Sequence, residues 1–250
     1  MRDIEKYTKD YNVPNFEDYQ LQYRRKKIME YVNYYKPQNI LEIGCGMEPL
    51  FKYIEYEFMS YTVIEPSEEF YKNVLDLSRN DNRISCYNMF YGEVNNLETT
   101  YDMIICSSLL HEVPDPHAFI SSIRRNCNRN TVVHINVPNA RSFHRLLAKE
   151  MGLIQDEHDM SERNILYQQR EVFDIEKLRC LLESGGFKIL QSGSYFIKPF
   201  THAQMYEMMN NEIIDKCVLD GLYKMEKYMP DIGSEIYANA KLERLEEDSI

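Results

Sequence analysis

The chain has no tryptophan, and its six cysteines include no C-x-x-C pair. Cys45, Cys86, Cys106, Cys127, Cys180 and Cys217 are widely spaced, which argues against a zinc site or a disulfide framework and reads as reduced thiols. No stretch of about 18 uncharged apolar residues occurs, the length a membrane-crossing helix needs. The opening MRDIEKYTKDYN also lacks an apolar run, so neither secretion nor a membrane partner is expected and the cytoplasm is the expected location. Positive charge is in deficit, with 29 Lys and Arg against 40 Asp and Glu and a net charge of −11, which excludes a broad nucleic-acid footprint. The one basic run, residues 24–27, reads as a solvated helix face. No repeat or low-complexity stretch appears, so a solenoid or disordered array is excluded.

What is there is ordinary for a globular protein: 250 residues, 44% hydrophobic and 28% charged, enough for one main domain with appended segments. Leu21, Ile28, Val32 and Tyr35 recur at helical spacing, predicting a helix over 16–35 that Pro37 ends. Strand-like runs follow at 39–43, 61–64, 84–87, 102–106 and 131–137, alternating with helices predicted at 50–58, 67–78 and 115–125. That alternation implies parallel strands joined by crossover helices, an α/β fold. Beyond Pro138 a helix is expected at 142–150, then a polar insertion or lid over 155–170. Asp174 caps a helix to 183, Gly185 and Gly186 end it, and 187–197 reads as a strand. A single helix is predicted over 203–229, with Ile214, Val218, Leu222, Met225 and Met229 on one face, and this Met-bearing helix is a candidate homodimer surface. A last strand spans 235–242. The expected organisation is an N-terminal helical lead-in and lid, 1–37, followed by a domain over 38–250 with insertions at about 153–172 and 200–233.

The chemistry-bearing segment is ILEIGCGMEPLF. Gly44, Cys45 and Gly46 follow a strand and precede a helical stretch, where side-chain-free residues let the backbone turn sharply and let a ligand lie against peptide N–H groups. Glu42 precedes them, and Glu65 ends the next strand about 20 residues on, where a carboxylate can accept hydrogen bonds from both ribose hydroxyls. Together these mark an adenosine-bearing ligand. A dinucleotide fingerprint needs a third glycine where this chain has Pro49, so NAD or FAD is the weaker reading.

These residues resemble the first two motifs of class I S-adenosylmethionine-dependent methyltransferases, with Glu48 standing where the family's third glycine would be. CSSLLHEVPDPHAFI is similar to the family's fourth motif and GSEIYANAKL to its terminal strand. The resemblance implies a Rossmann-like, mostly parallel seven-stranded sheet with helices on both faces and its last strand antiparallel. It also implies S-adenosylmethionine as cofactor, Asn88, Met89 and Phe90 near adenine, and Ser107 and Ser108 beside the methionine part. VPNARSFHRLLAKEMGLI, with GGFKI and FIKPFTHAQM, resembles bacterial methyltransferases of surface-polysaccharide (capsule or O-antigen) biosynthesis, implying a sugar, nucleotide-sugar or phosphorylated acceptor, a phosphoramidate precursor included.

For O-methylation of such an acceptor, His111 is the leading candidate general base, since its ordinary pKa suits proton uptake near neutrality. Glu112 is its rival. His144 and Arg141, one turn apart, are candidates to meet an acceptor hydroxyl or phosphate. His134 reads as a buried, hydrogen-bonded histidine with Asn136 on the same strand face, and His158 as a surface residue. No His/Asp cluster has metal-ligand spacing, so no metal is expected. A non-catalytic binding scaffold and a nucleotide-dependent oxidoreductase stay open as alternatives.

Overall fold

Alternation along short strands organises the core of the computed structural model, which describes residues 3–11, 14–94, 97 and 100–243. In β1 (Asn39–Ile43), Leu41 and Ile43 belong to one apolar cluster and Ile40 to another, as expected when successive side chains point to opposite faces. β4 (Tyr101–Ser107) repeats this, with Ile104 and Cys106 on the first face and Met103 and Ile105 on the second. Both faces are therefore buried, which explains strands apolar at nearly every position.

The sheet has seven strands in the order β3-β2-β1-β4-β5-β7-β6. The others are β2 (Ser60–Ile64), β3 (Ile84–Tyr87), β5 (Cys127–Pro138), β6 (Phe187–Tyr195) and β7 (Glu235–Leu242). β1 to β5 pair in parallel, whereas β7 is antiparallel to both β5 and β6. This is the Rossmann-like architecture expected, with its last strand reversed.

Helices α1 (Ile4–Tyr11) and α2 (Glu17–Tyr35) precede the sheet; α2 is the helix predicted over 16–35, and α1 lies within the helical lead-in expected over 1–37. Ile28 and Val32 of α2 and Val74 of α3 (Glu68–Ser78) pack on one face. Ile120 and Ile123 of α4 (Pro116–Arg124) and Leu178, Leu181 and Leu182 of α7 (Ile175–Ser184) pack on the other. Ser67, Asp115 and Asp174 cap α3, α4 and α7 with side-chain oxygens on N–H groups, leaving fewer orphan donors at the helix starts. Between β5 and α7 lie α5 (Phe143–Glu150) and α6 (Glu162–Leu166).

Three expectations need correction. The helix predicted over 50–58 is only a 3-10 turn, Leu50–Tyr53. The segment after it bonds to Gln38 instead of to itself, with Met59 N donating to the Gln38 carbonyl at 2.8 Å and the Gln38 amide to the Glu57 carbonyl at 3.3 Å. The single helix over 203–229 is two, α8 (His202–Asn210) and α9 (Lys216–Lys224), because Asp215 caps a fresh start. That break rotates the apolar face, so Leu219 and Tyr223 are buried while Val218 is exposed. Finally, Arg24 and Lys27 are not a solvated face: both are buried, drawn inward by Glu235 and by Glu30 and Glu226. Among the described residues, no helix is long and apolar enough to cross a membrane.

Candidate functional site

The parallel register pairs Ile43 with Ile64, so the chain leaves β1 and β2 side by side. Gly44 and Gly46 both adopt left-handed backbone, φ +75° and +60°, a conformation glycine reaches without strain. A Cβ at Gly44 would stand 3.5 Å from Leu109 Cδ2. This turn aims its N–H groups at the end of β2: Glu65 Oε2 accepts from Cys45 N at 3.1 Å and Gly46 N at 3.2 Å, and Oε1 from Ser67 N at 2.9 Å. Burial pushes the Glu65 carboxyl above its usual range, while those N–H bonds oppose the shift. Glu42 accepts from Tyr61 Oη at 2.8 Å and Leu50 N at 3.1 Å. Burial raises it to about 7, against both of those bonds. Glu48, at the third-glycine position, accepts from Tyr53 Oη at 2.9 Å and pairs with Arg25.

A cleft of about 240 Å³ opens over this loop. Of the residues expected at a cofactor, Glu42, Gly44, Cys45, Gly46, Glu65 and Ser107 line it, as does Ser108. Asn88, Met89 and Phe90 are not among the lining residues. Asn88 instead donates its amide to the carbonyls of Glu65 and Pro66, at 3.0 and 3.1 Å, buttressing the end of β2, and Phe90 opens a 3-10 turn.

Of the candidate catalytic residues, His111, Glu112 and His144 line the same cleft. His111 Nε2 lies 3.6 Å from Glu112 Oε1, both side chains buried, and the His111 carbonyl accepts from Arg170 N at 2.9 Å, tying the polar insertion to the site. His144 has a buried Nδ1 with no hydrogen-bond partner among the described residues. Arg141 points elsewhere, exposed and 3.4 Å from Glu157. His134 is fully buried, its Nδ1 2.7 Å from Asn239 Oδ1, and burial lowers it to about 4. Asn136 donates to Glu235 at 3.2 Å. His158 is an exposed clamp between Asp156 and Asp174, at 3.1 and 2.9 Å. Among the described residues, no group of three or more His, Cys, Asp or Glu is gathered to hold a metal ion.

Sequence reasoning missed the polar floor beyond the loop. Glu235 is wholly buried and accepts from Arg24 Nε at 2.9 Å, Gln20 Nε2 at 2.7 Å and Tyr195 Oη at 2.5 Å. Arg24 also holds Glu17 at 2.7 Å. A signal existed: an acid opening the apolar strand EIYANA must find a cation once that strand is central. Lys198 and His202, 2.7 Å apart, complete the wall.

The profile of a family described as "Methyltransferase domain" matches residues 19–192. No curated protein matches. Among solved structures, the plantazolicin methyltransferase BamL, in complex with S-adenosylhomocysteine and a desmethyl-plantazolicin analogue, is 14% identical with a TM-score of 0.59, over 92% of this chain and 88% of that one. An S-adenosylmethionine-dependent methyltransferase from Mesorhizobium loti is 12% identical, TM-score 0.58, over 81% and 90%. The [4+2]-cyclase SpnF is 15% identical, TM-score 0.53, over 81% and 73%. At such identities the likeness is one of fold, and fold alone does not fix the chemistry.

Proposed function

The chain belongs to the methyltransferase-domain family, and from that premise we propose that it transfers a methyl group from S-adenosylmethionine to an oxygen of a small polar acceptor. The carrying observation is that His111 and Glu112 line the same cleft as Gly44, Gly46 and Glu65.

The residues present fit this donor. At Gly44 a side chain would be both strained and directed at Leu109, so the loop surface stays open to a nucleoside. Glu65 Oε2 accepts from Cys45 N, Gly46 N and, at 3.8 Å, the Cys45 thiol, whereas among the described residues Oε1 accepts from Ser67 N and keeps an acceptor position for a ribose hydroxyl. Bound there, S-adenosylmethionine supplies an electrophilic methyl group on a sulfonium. The protein's part is to align the acceptor oxygen with that group and to remove the oxygen's proton. His111 takes the proton on its imidazole, and Glu112, 3.6 Å away, stabilises the imidazolium. The insertion backbone that hydrogen-bonds the His111 carbonyl helps exclude water.

The acceptor in this reading is a sugar, nucleotide-sugar or phosphorylated precursor, a phosphoramidate included, made in the cytoplasm for a bacterial capsule or O-antigen. The support is the stretch VPNARSFHRLLAKEMGLI, whose His144 and Arg145 reach the cleft. The test is a screen of nucleotide sugars and phosphorylated sugars for release of S-adenosylhomocysteine. Turnover with one of them, abolished by His111→Gln, supports the reading; no release with any of them contradicts the acceptor class.

A further inference from the structure

The cleft extends past the glycine loop to a wall that the mechanism above does not use. Lys198, just beyond β6, is buried to 2% exposure, yet it lines the cleft. Its amine bonds to His202 Nδ1 at 2.7 Å, and among the described residues it forms no ion pair with a carboxylate. The nearby acids are already engaged. Glu17 is held by Arg24 at 2.7 Å and by His202 Nε2 at 3.2 Å, and Glu235 by the Arg24 fork.

The other groups facing this end add positive charge. Arg163 lines it, its guanidinium 4.7 Å from the Tyr167 ring centroid and no closer than 4.0 Å to Glu17. Arg145 lines it too, with Nε and Nη2 spent on the carbonyls of Glu157 and Asp159, so it contributes field and few free donors. His144 brings a buried Nδ1 with no hydrogen-bond partner among the described residues. A buried ammonium with no ion pair of its own among the described residues, its nearest acids Glu17 and Glu235 shared with Arg24, close enough to His144 to act on its imidazole, is an arrangement that an anion would complete.

We propose that Lys198 and His144 form an anion subsite of the acceptor pocket, where a phosphate or carboxylate group of the acceptor accepts hydrogen bonds from the Lys198 ammonium and the His144 Nδ1–H. The identity of the occupant as acceptor rests on the methyl-transfer reading; the anion site itself does not. Burial pushes the Lys198 amine down to about 7, with Glu17 opposing and Arg163 reinforcing the shift. An anion at the site favours the charged amine, so binding above pH 7 takes up a proton.

The test is calorimetric titration of the full chain, with and without S-adenosylhomocysteine, using sulfate and, separately, acetate. Runs at pH 8 in two buffers of different ionisation enthalpy count the protons taken up. The expected result is anion binding with proton uptake, weakened about tenfold or more, and stripped of the uptake, by Lys198→Met. His144→Gln weakens binding and keeps the uptake. Sulfate binding more tightly than acetate assigns a phosphate-like group, and the reverse order a carboxylate. Lys198→Met should melt no lower than wild type, since it removes an unpaired buried charge, and His144→Gln keeps the test alive should that variant not fold. Equal anion binding by wild type and Lys198→Met overturns the proposal. So does the absence of anion binding in a chain that binds S-adenosylhomocysteine, an outcome that leaves the donor reading standing. Anion binding lost in Lys198→Met, in a chain that ignores S-adenosylhomocysteine, overturns the donor reading and keeps the subsite.

Discussion

Arg24 reaches across 211 positions of sequence to close its guanidinium on the carboxylate of Glu235, Nε standing 3.0 Å from Oε1 and 2.9 Å from Oε2. The pair joins α2 to the reversed strand β7, and Arg24 lines the cleft. Removing one partner of a buried pair leaves the other uncompensated. Glu235→Gln should therefore lower stability by about 3–5 kcal/mol, while adding Arg24→Met to Glu235→Gln, which removes the stranded cation and keeps an acceptor for Gln20 and Tyr195, recovers part of that loss. Urea unfolding of the two variants checks this; equal losses would show that the ion pair is not what holds the floor.

Glu42 makes stability depend on pH in an unusual direction. Its carboxyl is raised from 4.5 to about 7 by burial, so the folded chain binds a proton more tightly than the unfolded one. The stabilisation this brings is complete below pH 4.5 and is lost as pH rises through 7. Glu42→Gln, which mimics the neutral form, should match wild type near pH 5 and exceed it by up to about 3 kcal/mol at pH 8. A gap that does not widen between those two values in urea unfolding contradicts the assignment.

Helix α1 is laid along the cleft. Ile4 and Tyr7 line it, Thr8 Oγ1 donates to Ser67 Oγ at 2.9 Å, and Asp3 and Gln168 exchange hydrogen bonds of 2.8 and 3.1 Å. Deleting residues 1–15 should weaken S-adenosylhomocysteine binding roughly tenfold, chiefly by faster release, as two or three hydrogen bonds and an apolar cover are lost. Stopped-flow release rates that do not change would remove the lid role.

His111→Gln should reduce kcat about 10²–10⁴-fold, the range general-base catalysis contributes, without altering the affinity for S-adenosylhomocysteine. Steady-state rates beside calorimetry separate the two effects. An unchanged kcat would move the base role to Glu112.

The glycine turn and its carboxylate were legible because their determinants are local: Gly44, Gly46 and Glu42 lie within one strand–turn, and Glu65 follows the adjacent strand. The sheet was legible for a similar reason, each strand being marked by its own apolar run. Arg24, Glu17, Lys198 and His202 were not, because their burial depends on partners brought together only by β7 and α8. The break at Asp215 was missed since the apolar spacing on either side keeps a helical period, while the cap that interrupts it is a single residue. The helix expected at 50–58 failed because Gln38 captured the backbone groups that the helix would have used for itself.

Glu65 and the loop N–H groups gathered around it carry the proposed donor site. Calorimetry of S-adenosylhomocysteine with the wild-type chain and with Glu65→Gln, alongside NAD, tests it most directly. Removing one charged acceptor should weaken binding about 10–100-fold, with no heat from NAD in either protein. Equal affinity in the two proteins, or tight binding of NAD in place of S-adenosylhomocysteine, would contradict it.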